Sequence, residues 1–368
     1  MKIAKAESIL VSIPFDAGPC IPPWSLGGAP ANKFDTLMVR LETDSGLVGW
    51  GEAFSRDQDF SLKRMIDTRL LPQLIGKDAS QITRIKHDLE FQMHNLGRIG
   101  SLEYGIAAID TALWDLLGKS CNVPLHRLLG GAYTDTLEVY ASLMRYGTSE
   151  GVVKTVNLAL DRGYRYIKLH EIDMDVIRAA VEAAGDRAKV MLDTNCPWSV
   201  PEALRYDREL APLKLLWLEE PVWPPENYKG LAAVRAAGNH RIAAGENAGS
   251  LHDFMAMISE QAIDIAQPDV GKTGGVTEAL KIAVLCEAHG VEFVPHCALF
   301  GPGQAATIQL NAAHRMTPVL ERLFCDFEVE LFGKATVPVN GSVRVPQGPG
   351  LGLEPDPRLI EKFQVEPR

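Results

Sequence analysis

The sequence predicts an α/β protein in which a small α+β domain precedes a parallel β/α barrel, and three observations carry that prediction. The chain has 368 residues, enough for two domains or for one barrel-sized domain with an appendage. From residue 137 to 296, short β-branched or Leu-rich runs alternate with helical segments of a dozen or so residues, the pattern of parallel strands joined by crossover helices. Those runs end on His170, Asp193, Glu219, Glu246, Asp269 and His296, spaced 23 to 27 residues apart. An ionisable residue closing each of six consecutive strands suits a catalytic rim, because the βα loops of a barrel converge on the C-terminal mouth of its strands.

The elements follow in order. SILVSI and TLMVRLETDSGLVGWGEA are β-rich runs, the second turning at Thr43-Asp44-Ser45-Gly46, which predicts an antiparallel sheet over Ile3 to Ala53. Residues 16–33 (DAGPCIPPWSLGGAPANK) are too rich in Pro and Gly for a regular element and predict a loop. Its apolar Ile21, Trp24 and Leu26 give it the character of a lid, with Trp24 a candidate to touch a substrate. Residues 61–130 are helical in pattern: Leu70, Leu71 and Leu74 recur at helical spacing, and Ile106, Ile109, Leu113, Leu116 and Leu117 form one stripe. Gly130-Gly131 closes this region, so the first domain is placed at residues 1–131. The strand runs of the next domain are LEVYASL, YRYIKLH, KVMLD, LLWLE, RIAAGE, AIDIAQPD and VEFVPH. Intervening pieces such as MDVIRAAVEAAG and VTEALKIAVLCEAHG end in Gly, the expected residue just past a helix C-terminus.

The strand ends define a chemistry. Asp193, Glu219 and Glu246 should project from three neighbouring strands into one mouth, where three carboxylates cannot all ionise without a counter-charge. A divalent cation supplies it, and an oxygen-only set favours a hard ion, Mg²⁺ first and Mn²⁺ second. Glu220, the next residue, should point the opposite way. Asp269 and His296 end adjacent strands, so the carboxylate can hold one imidazole nitrogen and make the other a general base. Lys168 and His170, two apart in one strand, share a face across the mouth from His296.

Composition narrows the partners. With 37 Lys+Arg against 47 Asp+Glu the formal net charge is −10, and an acidic surface repels nucleic-acid phosphates and anionic lipid. Small molecules are the expected partners. No long apolar leader and no run of about 18 uncharged apolar residues is present, which predicts a cytoplasmic protein. The six cysteines are scattered with no CxxC pair, the pattern of reduced thiols.

GLVGWGEA (46–53), AAIDTALWDLLGKSCNVPLHRLLGG (107–131), K-x-H (168–170), LDTN (192–195), LEEP (218–221), GEN (245–247), QPDVGKTGG (267–275) and PH (295–296) together resemble the enolase superfamily, and within it the mandelate racemase subgroup of the mandelate racemase/muconate lactonizing enzyme family. The resemblance implies a modified (β/α)7β TIM-like barrel over residues 132–322, capped by the N-terminal α+β domain, with residues 323–368 returning to the cap. It implies Asp193, Glu219 and Glu246 as Mg²⁺ ligands, His296 with Asp269 as the base dyad, and Lys168 and Glu321 as electrophiles. Muconate-cycloisomerase-like relatives carry a Lys five residues before the Gly-Gly pair; here that position is Asp269, and Lys272 lies nearer the turn. Much of the subgroup reads K-x-K where this chain has Lys168-x-His170, so His170 is either a second base or a substrate hydrogen-bonder. Asn195 and Arg56 are further candidate substrate contacts.

The implied reaction begins with removal of the α-proton of a carboxylate substrate through an enediolate, in a homo-oligomer between dimer and octamer. The expected outcome is dehydration of an acid sugar to a 2-keto-3-deoxy acid. The alternatives are racemisation or epimerisation of a hydroxy or imino acid, which the apolar lid favours, cycloisomerisation, and, outside catalysis, a metal-stabilised binding barrel. Opposed proton-transfer groups argue for an enzyme, since a binding module has no use for them.

Overall fold

In the computed structural model, which describes residues 1–20, 32–56, 58–315 and 317–366, the chain opens with an antiparallel sheet. Trp24 lies outside the described residues, as does most of the loop that carries it. The sheet consists of β1 (Ile3–Asp16), β2 (Lys33–Thr43) and β3 (Val48–Ala53). The hairpin turn falls on the anticipated residues: Thr43 N–H donates to the Leu47 carbonyl (2.9 Å), and Gly46 takes the left-handed φ of 82° that the turn needs. Helix Ser101–Cys121 lies across this sheet, its Ile106, Ile109, Leu113 and Leu116 buried against the strands. Gly51 permits the approach, because a Cβ there would collide with the Ala108 carbonyl.

Eight parallel strands follow: β4 (Thr136–Ser142), β5 (Tyr166–Leu169), β6 (Lys189–Asp193), β7 (Leu218–Glu219), β8 (Ile242–Ala244), β9 (Ile265–Ala266), β10 (Glu292–Phe293) and β11 (Leu320–Leu323). They are hydrogen-bonded in the order β10-β9-β8-β7-β6-β5-β4-β11. Each run identified in the sequence contains a strand, yet several are only two residues long, because the chain leaves the ladder where it begins to present rim side chains. Inside the barrel Tyr166, Met191, Trp217, Val294 and Val319 stack in one cluster. Each lies two residues before a rim group (Lys168, Asp193, Glu219, His296 and Glu321), so the two-residue period of a strand carries one interior stripe from packed core to chemistry.

The last segment ties the two layers. β12 (Asp326–Phe327) pairs antiparallel with β1, β13 (Ser342–Arg344) pairs antiparallel with β4, and Ile360 of helix Pro357–Phe363 packs with Ile9, Val11 and Trp50. All six cysteines are free thiols, and among the described residues no helix is long and apolar enough to cross a membrane.

The first sheet and its helices meet the barrel through buried polar contacts. Asp110 accepts from the Thr277 amide (2.8 Å) and hydroxyl (2.6 Å), at a turn where Gly274 and Gly275 have φ of 67° and 82° and a Cβ on Gly275 would press on the Asp110 carboxylate. Burial pushes the Asp110 carboxyl up to about 6. A carboxyl that holds its proton more tightly when folded contributes stability that is complete below about pH 4 and is lost as pH rises through about 6, by at most roughly 3 kcal/mol. Asp110→Asn keeps an acceptor for the Thr277 amide and never ionises, so its melting temperature relative to wild type is expected to rise between pH 5 and pH 8. Parallel melting curves for the two proteins would refute this.

Candidate active site

The rim side chains gather at the C-terminal mouth. Lys168 Nζ, fully buried, lies 2.9 Å from Glu219 Oε1, 2.9 Å from Glu321 Oε1 and 3.6 Å from Asp193 Oδ2. Trp217 Nε1 donates to the other oxygen of Glu219 (3.0 Å), and the Cys297 amide donates to the other oxygen of Glu321 (2.9 Å). Glu321 is therefore an interior member of the cluster and not a surface ion-pair partner. The same Cys297 contact joins the loop after β10 to β11, the two ends of the ladder.

Asp193, Glu219 and Glu246 offer oxygens within 4.8 Å of one another. Asp193 Oδ1 accepts from the backbone (2.9 Å) and side-chain amide (3.1 Å) of Asn195, whereas its buried Oδ2 makes no hydrogen bond among the described residues and faces His170 Nε2 at 3.2 Å. Burial pushes the Glu219 carboxyl up to about 7 despite Lys168, with Asp193 and Glu321 adding to the rise. Clustered, buried oxygen donors, one of them without a hydrogen bond, fit a hard divalent cation.

On the other side of the mouth, Asp269 Oδ2 is 2.6 Å from His296 Nδ1, and Asp269 Oδ1 accepts from the Gly271 amide (2.7 Å). The carboxylate thus accepts a hydrogen bond from Nδ1–H, and Nε2 is directed at the mouth, 3.0 Å from Glu246 Oε2. Burial alone would lower the His296 pKa, but Glu246, Glu321 and Asp269 raise it well above the ordinary imidazole value. His170 is oriented the same way: its Nδ1 bonds the Leu143 carbonyl, and Nε2 faces inward.

Three further residues of the site have their contacts set by the fold. Glu220 does not follow strand alternation: β7 ends at Glu219 and Glu220 adopts φ 45°, which swings its carboxylate to Asn247 Nδ2 (2.9 Å) and Cys196 Sγ (3.5 Å). Burial and the neighbouring Glu246, Asp193 and Glu219 raise its pKa well above the carboxylate range. Asn195, read as a substrate contact, holds Asp193 and accepts from Arg145 (3.3 Å). Arg56, read likewise, stacks over Phe34 (3.7 Å to the ring centre) and donates to the Ala298 carbonyl, bracing the loop after His296. Sequence reasoning missed Phe54 and Tyr104, whose rings meet edge to face at 5.7 Å beside His296, and Glu52, which accepts from the Gly301 and Gly303 amides (2.9 Å each). GLVGWGEA contains Glu52, an acidic residue in an otherwise apolar strand, which was the one available signal.

A capped β/α barrel with an acidic triad on consecutive strands and a His–Asp dyad on the next two is a protein of the enolase type. A family model described as enolase C-terminal domain-like matches residues 151–359, and one described as the mandelate racemase/muconate lactonizing enzyme N-terminal domain matches residues 15–130. The chain belongs to the mandelate racemase/muconate lactonizing enzyme family. It is 32% identical to D-xylonate dehydratase of Haloferax volcanii over 91% of this chain and 86% of that protein. It is 31% identical to 3,6-anhydro-α-L-galactonate cycloisomerase of Streptomyces coelicolor over 90% and 92%. The crystal structure of a racemase from Streptomyces coelicolor with bound magnesium matches with a TM-score of 0.86 at 27% identity, covering 99% of this chain and 100% of that one.

Proposed function

We propose that the chain is a Mg²⁺-dependent dehydratase of an acid sugar. The observation that carries this reading is the Asp269–His296 dyad standing across the mouth from Lys168, with three clustered carboxylates between them. Asp193, Glu219 and Glu246 would hold the cation, Mg²⁺ in preference to Mn²⁺, which when bound neutralises the carboxylates and polarises a substrate carboxylate. The named relatives that dehydrate acid sugars, and the magnesium in the racemase structure, support both parts of the proposal.

With Glu246 engaged as a metal ligand, the contact that favours a proton on His296 Nε2 is relieved; Nε2 then takes the α-proton, and the electron pair moves into the substrate carboxylate, where the Lys168 ammonium meets the developing negative charge. Expulsion of the β-hydroxyl, protonated by the same imidazolium, then releases one water, and the enol left behind tautomerises to a 2-keto-3-deoxy acid. Glu321 positions Lys168, Arg56 and Asn195 brace the pocket, and His170 is the second group able to move a proton. Residues 1–131 act as the cap, 132–322 carry the chemistry, and 323–368 return to the cap. A cytoplasmic homo-oligomer completes the reading.

Cycloisomerisation is the competing outcome, favoured by the cycloisomerase relative and by His170 Nε2 opposite His296. A panel of aldonic and aldaric acids and anhydro-sugar acids, incubated with protein and Mg²⁺ in D₂O, separates the two. Dehydration yields a 2-keto product, and cycloisomerisation yields an isomer of unchanged mass apart from deuterium. Exchange of no α-proton anywhere in the panel would overturn both.

A further inference from the structure

Lys272 is a buried ammonium that the chemistry above does not use. It is 5% exposed, and among the described residues its Nζ has no hydrogen-bond or ion-pair partner. Its position is fixed by the backbone: the Lys272 and Thr273 amides both donate to the Asp269 carbonyl (2.9 and 2.7 Å), and the Phe54 amide donates to the Gly271 carbonyl (3.2 Å). The turn carrying Lys272 is thereby pinned to the end of β3. The ammonium lies 4.6 Å over the Phe54 ring, and the titratable groups around it are Glu246, Tyr104, Asp269 and Glu220. The acidic surroundings and the ring face compensate the burial of the charge, but neither accepts a hydrogen bond from it, so the N–H donors of the ammonium are left without acceptors among the described residues. Such a group is kept where something else completes its bonding.

The position says what that something is. Lys168 stands on β5 and Lys272 just after β9, four strands apart in a ladder of eight, so the two ammoniums face each other from opposite sides of the mouth. Lys168 is saturated by carboxylates and sits deep, whereas Lys272 sits on the side formed by Phe54 and Tyr104 of the cap and has donors to spare. We propose that Lys272, with the phenol of Tyr104 beside it, forms a subsite for an oxygen of the substrate remote from its reacting carboxylate, a sugar hydroxyl or a second carboxylate. This rests on the proposed α-proton chemistry and sharpens it: the substrate class is polyoxygenated, and the apolar carboxylic acids that the lid composition favours lack the group this lysine requires.

Lys272→Met preserves the length of the apolar stem and removes the charge. For six-carbon aldonic and aldaric acids the variant is expected to raise KM by about 10- to 100-fold, with a smaller change in kcat, the loss that follows removal of a charge-assisted hydrogen bond. Lactate has no distal oxygen, and its inhibition constant against the same reaction should stay within about two-fold; Lys272→Arg should recover part of the affinity. Circular dichroism and Mg²⁺ affinity report whether fold and metal site survive, and Lys272→Gln offers a second substitution where the methionine variant fails to fold. An unchanged KM for the sugar acids overturns the subsite, and so does an equal loss for lactate and sugar acid, which would place Lys272 on the shared carboxylate. Absence of α-proton exchange by the wild-type enzyme on every acid overturns the proposed function and the subsite with it.

Discussion

His296→Asn is expected to lower the rate of α-proton exchange by about 10²- to 10⁴-fold while the protein stays folded. The asymmetry comes from the two ends of the imidazole. Nδ1 is bound to Asp269 at 2.6 Å, and an asparagine amide at the same position retains a donor for that carboxylate, so no buried acceptor is stranded. Nε2 is the atom that faces the mouth, and asparagine has no basic nitrogen to put there. Exchange in D₂O measures the effect directly, with melting temperature as the folding control. A rate near wild type would remove His296 from the role of base and pass it to His170, whose Nδ1 is likewise held by a carbonyl with Nε2 facing inward. Asp269→Asn should also slow exchange, because a carboxamide facing Nδ1 no longer enforces the tautomer that leaves Nε2 free.

What was legible in the sequence is what strand periodicity determines locally. Met191 and Asp193, Trp217 and Glu219, Val294 and His296 are pairs two residues apart, apolar then ionisable, and each pair places a packed side chain beneath a reactive one. The barrel, its mouth and the identity of its rim groups follow from that period and from the spacing of successive strands. Legibility fails at Glu220, where the strand ends one residue earlier and a left-handed φ replaces alternation. It fails again for Phe54, Tyr104 and Arg56, which reach the mouth from the first domain. Phe54 meets the Gly271 turn more than two hundred residues away, and no local pattern encodes so distant a contact. Glu52 belongs with these: three backbone amides between residues 300 and 303 converge on it, and burial pushes its carboxyl up to about 7, a cost that makes sense only once the cap and the loop after His296 are seen together. Lys272 was visible as a residue of QPDVGKTGG, but its burial was not, since a lysine in a Gly-rich turn ordinarily extends into water.

Removing divalent cations should abolish exchange, leave the protein folded, and lower its melting temperature relative to the Mg²⁺-saturated form. The protein survives because Lys168 already bridges Glu219 and Glu321, a buried cation that keeps the barrel floor from being a set of unopposed carboxylates. It loses activity because Lys168 does not satisfy Asp193 Oδ2, 3.6 Å away, and because Glu246 turns instead to His296, the group proposed as base. A ligand that binds only the folded state stabilises it by about 2.7 kcal/mol at a hundredfold excess over its dissociation constant, so a titration of melting temperature with Mg²⁺ reads affinity without any substrate. Glu219→Gln should flatten that titration, since a neutral amide is a poor ligand for a hard cation; its single oxygen can still accept from Lys168 or from Trp217 Nε1 but not from both, so melting temperature is the control for fold. Two results would defeat the assignment separately. Full exchange by protein in which metal is verified absent would mean that Lys168 alone stabilises the developing charge, and an unaltered Mg²⁺ titration in Glu219→Gln would mean that the cation is held elsewhere.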